Sequence, residues 1–432
     1  MQTYNKENTS ELKIKVPTKK DLIFLFIIFP VYFLICFSFP HSFQSITISL
    51  MALTLLSTFM NKSRWIIPKY MIFCYIFSVV VTLIYLALGY INGSSEIAIY
   101  QVVFVYIISP IAWMLIFNQA INYIGLDKII KYMIFFVYVA TLFVLSFFYL
   151  FINFGPETVR IFVDNPNVVL SGNNAGATLM VYATFMFISG GLFAAPEVIR
   201  SKITRLIILL FLFIVAFTSG RAALILIIVA SPVFGFLIRY LSQRGEKVGG
   251  NTRQGNQISY LFLIFFAVLL LGILNSFFEF VDIQLLYQTI LDKINDLGGV
   301  ERQLQAELLY NNALQNNLAG VGHGQSINYI RNVDYPWRYE LVFFASLFRV
   351  GALGTIIYLS VFIIYVVKFM SAAYKGKITA VDIFFFSGFV MFSIGAMTNP
   401  FAESYIFQWM LILPMIALHV GQIQAQRPRK SV

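Results

Sequence analysis

The sequence predicts an all-α polytopic membrane protein of about 12 transmembrane helices, with both termini cytoplasmic and one large loop on the opposite side. Three observations predict it. Of the 432 residues 59% are hydrophobic and 11% charged, and the mean hydropathy is +0.81; a water-soluble domain carries about 25% charged residues. Apolar runs of about 18–20 residues, long enough to cross a bilayer, recur along the whole chain. Lysine and arginine gather in alternate loops, as they do on the cytoplasmic side of membrane proteins.

The elements follow in order. Residues 1–20 form a polar tail, and the apolar run after it is long enough to span rather than to serve as a cleavable signal. Spans are predicted near 21–40, 43–60, 70–90, 97–117, 133–153, 173–194, 203–219, 222–238, 258–277, 341–367, 381–397 and 405–420. Only Gly220 and Arg221 separate 203–219 from 222–238. The chain thus divides into a tail (1–20), nine spans (21–277), a large outer loop (278–340), three spans (341–420) and a second tail (421–432).

Orientation comes from the cations. The two tails and loops 61–69, 118–132, 199–205, 239–257 and 368–377 hold 23 of the 30 lysines and arginines. The net charge of +11 is therefore a topology signal rather than a nucleic-acid footprint. Seven cations remain: Arg160, Arg221, Lys293, Arg302, Arg331, Arg338 and Arg349, of which six are arginine. An outward arginine set runs against the charge rule, and the planar guanidinium suits phosphate and carboxylate.

The large loop contains ERQLQAELLYNNAL, which has helical spacing with Leu304, Leu308 and Leu309 on one face. Gly298–Gly299 precedes this helix, and the segment Gly320 to Gly324 ends it. A smaller outer loop covers 154–172. Cys36 and Cys74 fall inside spans and form no paired motif. No nucleotide-binding GxxxxGK[ST], HExxH or Asp-x-Asp motif is present, so no cofactor is expected. GVGHG (320–324) has the composition of a phosphate-cradling loop without the strand and helix that would frame one.

Three segments stand out together. Arg160 precedes NPN (165–167) and SGNNAGA (171–177); Arg221 sits in TSGRAAL; GVGHG, Arg331, Arg338 and Glu340 lead into LVFFASLFRVGALG with Gly351 and Gly354. Their order around one long loop resembles the O-antigen polymerase/ligase superfamily of membrane glycosyltransferases, over roughly residues 150–367. The resemblance implies polysaccharide assembly in the bacterial inner membrane, on its periplasmic face, from an undecaprenyl-pyrophosphate-linked oligosaccharide, with no nucleotide or metal. Ligases of the superfamily carry a His-Asn pair eleven residues before the first glycine of GxxG. That position here is Glu340-Leu341, which favours a repeat-unit polymerase over a ligase. A lipid-linked oligosaccharide flippase is the alternative outside enzymes, although one large arginine-bearing loop without paired repeats suits it less.

The chemistry requires cations for the pyrophosphate and a base for the acceptor hydroxyl. The candidate cations are Arg221, Arg160, Arg302, Arg331, Arg338 and Arg349. Arg349 lies nine residues into a span, about 13 Å along a helix. It has Asp382 or Glu403 as a structural alternative partner. The candidate bases are Glu340, whose structural alternative is a salt bridge to Arg338 or Arg302, and His323. His41 and His419 read as structural. Asn173 and Asn174 are candidates for sugar hydroxyls, with helix capping as the alternative. A chain-length regulator is a partner the sequence leaves open, and nucleic acid is not expected.

Overall fold

The computed structural model describes residues 27–60, 63–160, 162, 168–171, 174–177, 179–218, 222–245, 299–330, 333, 335–397 and 399–425. Among them the helices are α1 (Phe29–Ser38), α2 (Gln44–Met60), α3 (Lys69–Ile91), α4 (Glu96–Val102), α5 (Ser109–Tyr123), α6 (Leu126–Phe154), α7 (Val181–Ala194), α8 (Lys202–Thr218) and α9 (Ala222–Gly245). After them come α10 (Gly299–Gln315), α11 (Val342–Tyr374), α12 (Ala380–Met397) and α13 (Trp409–Ala425). A π-helical turn, Val103–Ile108, joins α4 to α5 into one rod. Among the described residues, six helices are long and apolar enough to cross a membrane: Lys69–Ile91, Glu96–Tyr123, Leu126–Phe154, Ala223–Gln243, Val342–Tyr374 and Ala380–Met397.

The centre of the bundle is α7, which is buried at every position from Val181 to Ala194. A helix apolar on all sides belongs inside. It packs on α12 through small residues. A Cβ on Gly191 would stand 2.7 Å from the Phe384 carbonyl oxygen, and one on Gly388 2.7 Å from that of Phe187. Close backbone approach of this kind is how apolar helices gain packing when the surrounding lipid is equally apolar. Aromatic rings fill the remainder, as where Phe33 and Phe37 meet Trp409.

Several boundaries differ from the sequence reading. The span predicted from 173 begins as a helix only at Val181; before it, β1 (Val168–Ser171) and β2 (Asn174–Ala177) form an antiparallel hairpin pairing Ser171 with Asn174. The last helix starts at Trp409 instead of 405, because the Tyr405 carbonyl turns away to accept from Trp113 Nε1 at 2.7 Å. The loop helix α10 ends at Gln315, where Asn317 and Leu318 take positive φ, so it stops before the glycine segment. Its buried face is Gln305, Leu309 and Ala313, while Leu304 is exposed. The predicted span 258–277 lies outside the described residues.

Four connecting segments meet at one end of the bundle. They are 39–43, 92–95, the described part of 316–341 and 399–408; His41 Nε2 to Ser404 Oγ (2.8 Å) and Ser94 Oγ to the His323 carbonyl (2.6 Å) join them in pairs, and Trp337 Nε1 reaches Gln101 Oε1 of α4 (3.2 Å).

Candidate functional site

The site is built on a broken helix. Within α11, Gly351 has φ +68 and ψ −176, which interrupts the helical ladder. The glycine segment replaces the lost bonds. Val321 N–H donates to the Phe348 carbonyl (3.1 Å), Gly322 N–H to the Arg349 carbonyl (2.9 Å), and Ala352 N–H to the Leu318 carbonyl (2.9 Å). On its other side the segment lies against α3, where His323 N–H donates to the Tyr85 carbonyl (2.9 Å) and Asn92 Nδ2 to the Val321 carbonyl (2.8 Å). Irregular backbone among spanning helices survives only when protein satisfies it. Space dictates glycine: a Cβ on Gly322 would stand 2.3 Å from the Gly89 nitrogen, and one on Gly89 2.0 Å from the His323 carbonyl oxygen. Three amides of GVGHG are thus consumed by carbonyls, so the segment is a helix splint and not a phosphate cradle.

The splint seals His323. The residue is 1% exposed, and Nε2 lies 3.0 Å from Tyr358 Oη, itself 2.8 Å from Thr82 Oγ1. Burial, and after it the Arg349 charge, lower the imidazole to about 3, so it is neutral at ordinary pH.

The helix break also sets Arg349. Its Nη1 is 2.6 Å from Glu403 Oε1, and Nη2 donates to the Trp337 carbonyl. Glu403 Oε1 accepts a second bond from Tyr106 Oη at 2.9 Å. Tyr106 belongs to the π-helical turn, which leaves carbonyls for side chains: Gln408 Nε2 donates to the Val105 carbonyl (2.7 Å) and Tyr75 Oη to that of Ile107 (2.6 Å). Such turns recur at functional sites. Asp382, the other acid considered for Arg349, caps α12 through Thr379, whose N–H and Oγ1 donate at 2.8 and 2.7 Å.

Arg338 is exposed beside this cluster, its guanidinium 4.3 Å from the Tyr335 ring centre. With Arg349, Glu403, Tyr106 and Gln101 it lines a pocket of about 20 Å³, room for one water. Tyr106 and Glu403 also head a second cavity, of about 570 Å³, whose walls are apolar and follow α11 from Val342 to Val367. That stretch of helix is on the order of 35 Å long.

The other candidates fall elsewhere or outside the described residues. Arg302 Nε pairs with Glu340 Oε2 at 2.7 Å, and Gln305 Oε1 accepts from the Glu340 and Leu341 amides at 3.1 and 3.2 Å. Glu340 thus pins α10 to the start of α11. Arg160 forms an exposed i,i+3 pair with Glu157 at 3.0 Å. Arg221, Arg331 and Asn173 lie outside the described residues, and Asn174 stands in β2 instead of at a helix start, which removes the capping alternative. Among the described residues, no three His, Cys, Asp or Glu side chains gather as a metal site.

Glu403 and Tyr106 carry the cluster, yet neither was a site candidate from the sequence. One signal was present: after Glu340 the chain holds just two acids, Asp382 and Glu403, and Glu403 lies between two spans. Tyr106 had no such signal, since it is one tyrosine of 24. Comparison with known proteins found no matching family model, no similar characterised protein and no similar solved structure.

Proposed function

We propose that the protein is a polysaccharide polymerase of the bacterial inner membrane. It would join undecaprenyl-pyrophosphate-linked oligosaccharide repeat units into O-antigen or a related surface polysaccharide. The observation that carries the reading is the junction of cations with an apolar cavity: Arg338 and Arg349 stand at Glu403, where the cavity along α11 begins. A lipid pyrophosphate is amphiphilic in the same way, with an anionic head for guanidinium groups and a chain for the apolar wall. The family resemblance around residues 150–367 supports the same substrate.

In this reading the chain has twelve spans with both termini cytoplasmic. The basic helix ends near Lys69, Lys128, Lys202 and Lys375 face the cytoplasm. The arginine cluster then faces the periplasm. The growing chain leaves its carrier as the C–O bond to pyrophosphate breaks, and the acceptor hydroxyl of a new unit takes its place. Arg338 and Arg349 would offset the charge that builds on the departing pyrophosphate. Arg349 reaches it once Glu403 shares or releases its guanidinium.

The length of the cavity along α11 also favours a second reading, a flippase moving the same lipid. Deleting the gene in its host and resolving the surface glycolipid on a gel separates the two. Core bearing one repeat unit supports the polymerase. Core bearing none points to flippase or ligase, and an unchanged ladder overturns the whole reading.

A further inference from the structure

We propose that His41 is the general base of the transfer, taking the proton from the attacking acceptor hydroxyl. The inference rests on the polymerase reading and adds a residue to it. His41 occupies the corner between α1 and α2, at the end of the bundle that carries the arginine cluster. Its φ is +68, a left-handed backbone in a residue with a Cβ; such strain persists where the surroundings enforce it, and it concentrates at functional positions. Nε2 lies 2.8 Å from Ser404 Oγ, and Ser404 directly follows Glu403. The rings of Tyr405 and Phe407 flank the imidazole edge-on at 6.3 and 5.9 Å. One ring nitrogen is therefore held by a hydroxyl; with Nε2 donating to Ser404, Nδ1 is left unprotonated for chemistry.

The rival bases are engaged. Glu340 holds Arg302, Glu403 holds Arg349, and His323 is sealed against Tyr358. His41 is only half-buried. It also senses the cation that would hold the donor: burial, and after it the Arg338 charge, lower its imidazole to about 4. A pyrophosphate on Arg338 offsets the smaller of these two effects and so raises the basicity of the ring in part. The step balances. The hydroxyl O–H bond breaks and its proton goes to the imidazole, the oxygen bonds the anomeric carbon, and the C–O electron pair leaves with the pyrophosphate. The imidazolium then returns its proton to solvent.

The test uses the purified full chain and lipid-linked repeat units extracted from the deletion strain. His41→Asn tolerates the left-handed backbone, and His41→Gln keeps a polar atom for Ser404; neither accepts a proton. Both should lower kcat by about 10²–10⁴-fold, with KM nearly unchanged and the acidic limb of the pH profile lost. Wild-type kcat and profile in both variants, with Glu340→Gln inactive, would overturn the assignment. A second measurement does not depend on polymerisation. The chain has 3 histidines, so histidine-labelled NMR follows each one, assigned through the His323 and His419 variants. Inorganic pyrophosphate should shift the His41 titration upward, and Arg338→Ala should do so without pyrophosphate. A His41 signal unmoved by either overturns the coupling. Failure of the polymerase reading appears instead as wild-type protein that extends nothing.

Discussion

The Gly322 amide donates to the Arg349 carbonyl at 2.9 Å, so a loop residue supplies the bond that α11 lost two positions later at Gly351. That contact ties the glycine segment, the helix break and the buried arginine into one unit. It makes the glycines unequal. Gly351 combines φ +68 with a Cβ position 2.4 Å from the Leu318 carbonyl oxygen, whereas Gly93 has φ +84 and nothing within 4 Å. Gly351→Ala should cost about 3 kcal/mol or more, and Gly93→Ala about 1–2 kcal/mol. Thermal unfolding in detergent compares them, and equal losses would contradict the splint.

The ion pair gives a second prediction. Arg349 and Glu403 side chains are 4% and 12% exposed, so removing one partner strands a buried charge. Arg349→Ala or Glu403→Ala should each cost about 3–5 kcal/mol. The Arg349→Ala/Glu403→Ala double variant should cost less than the two single losses summed, with a coupling of about 0.5–3 kcal/mol. Additive losses in the double-mutant cycle would contradict a direct pair.

His323 predicts a pH dependence with a definite sign. Its folded value of about 3 lies below the 6.5 of a free imidazole, so the unfolded chain binds the proton first. Stability present above pH 6.5 is therefore lost as pH falls from 6.5 toward 3. His41, lowered to about 4, adds to the same slope. Folded His323→Gln protein should show a shallower loss over that window, measured by unfolding temperature against pH. An unchanged slope would contradict a sealed, neutral His323.

Gln305 should matter more than Arg302 for holding α10. The Arg302–Glu340 pair is 30% and 14% exposed, and such pairs contribute about 0–1 kcal/mol. Gln305 is buried and accepts from two amides. Gln305→Leu leaves both unmet, at about 1–3 kcal/mol each. Limited proteolysis between α10 and α11 reads the difference, and faster cleavage in Arg302→Ala than in Gln305→Leu would contradict it.

Much of the helical layout was legible because hydropathy is a local property. The runs at 70–90, 133–153 and 381–397 became α3, α6 and α12 within a few residues, except for the early start of α6 at Leu126. What depends on distant partners was not legible. The face of α10 was misread because Gln305, a polar residue, buries to receive the Glu340 and Leu341 amides. The π-helical turn that delivers Tyr106 has no periodicity of its own in an all-apolar stretch. GVGHG was legible as unusual, but its role needed Gly89 and Gly351, which lie far away in sequence. Glu403 as partner of Arg349 was one of two acids the sequence allowed, and geometry chose it.

The most direct test of the central claim is polymerisation by the purified chain. Undecaprenyl-pyrophosphate-linked repeat units from the deletion strain are incubated with the protein in detergent, and the products are resolved on a gel. The account predicts a ladder spaced by one repeat unit, with free undecaprenyl pyrophosphate released for each bond formed. Single-repeat material that survives unchanged beside folded protein would contradict it.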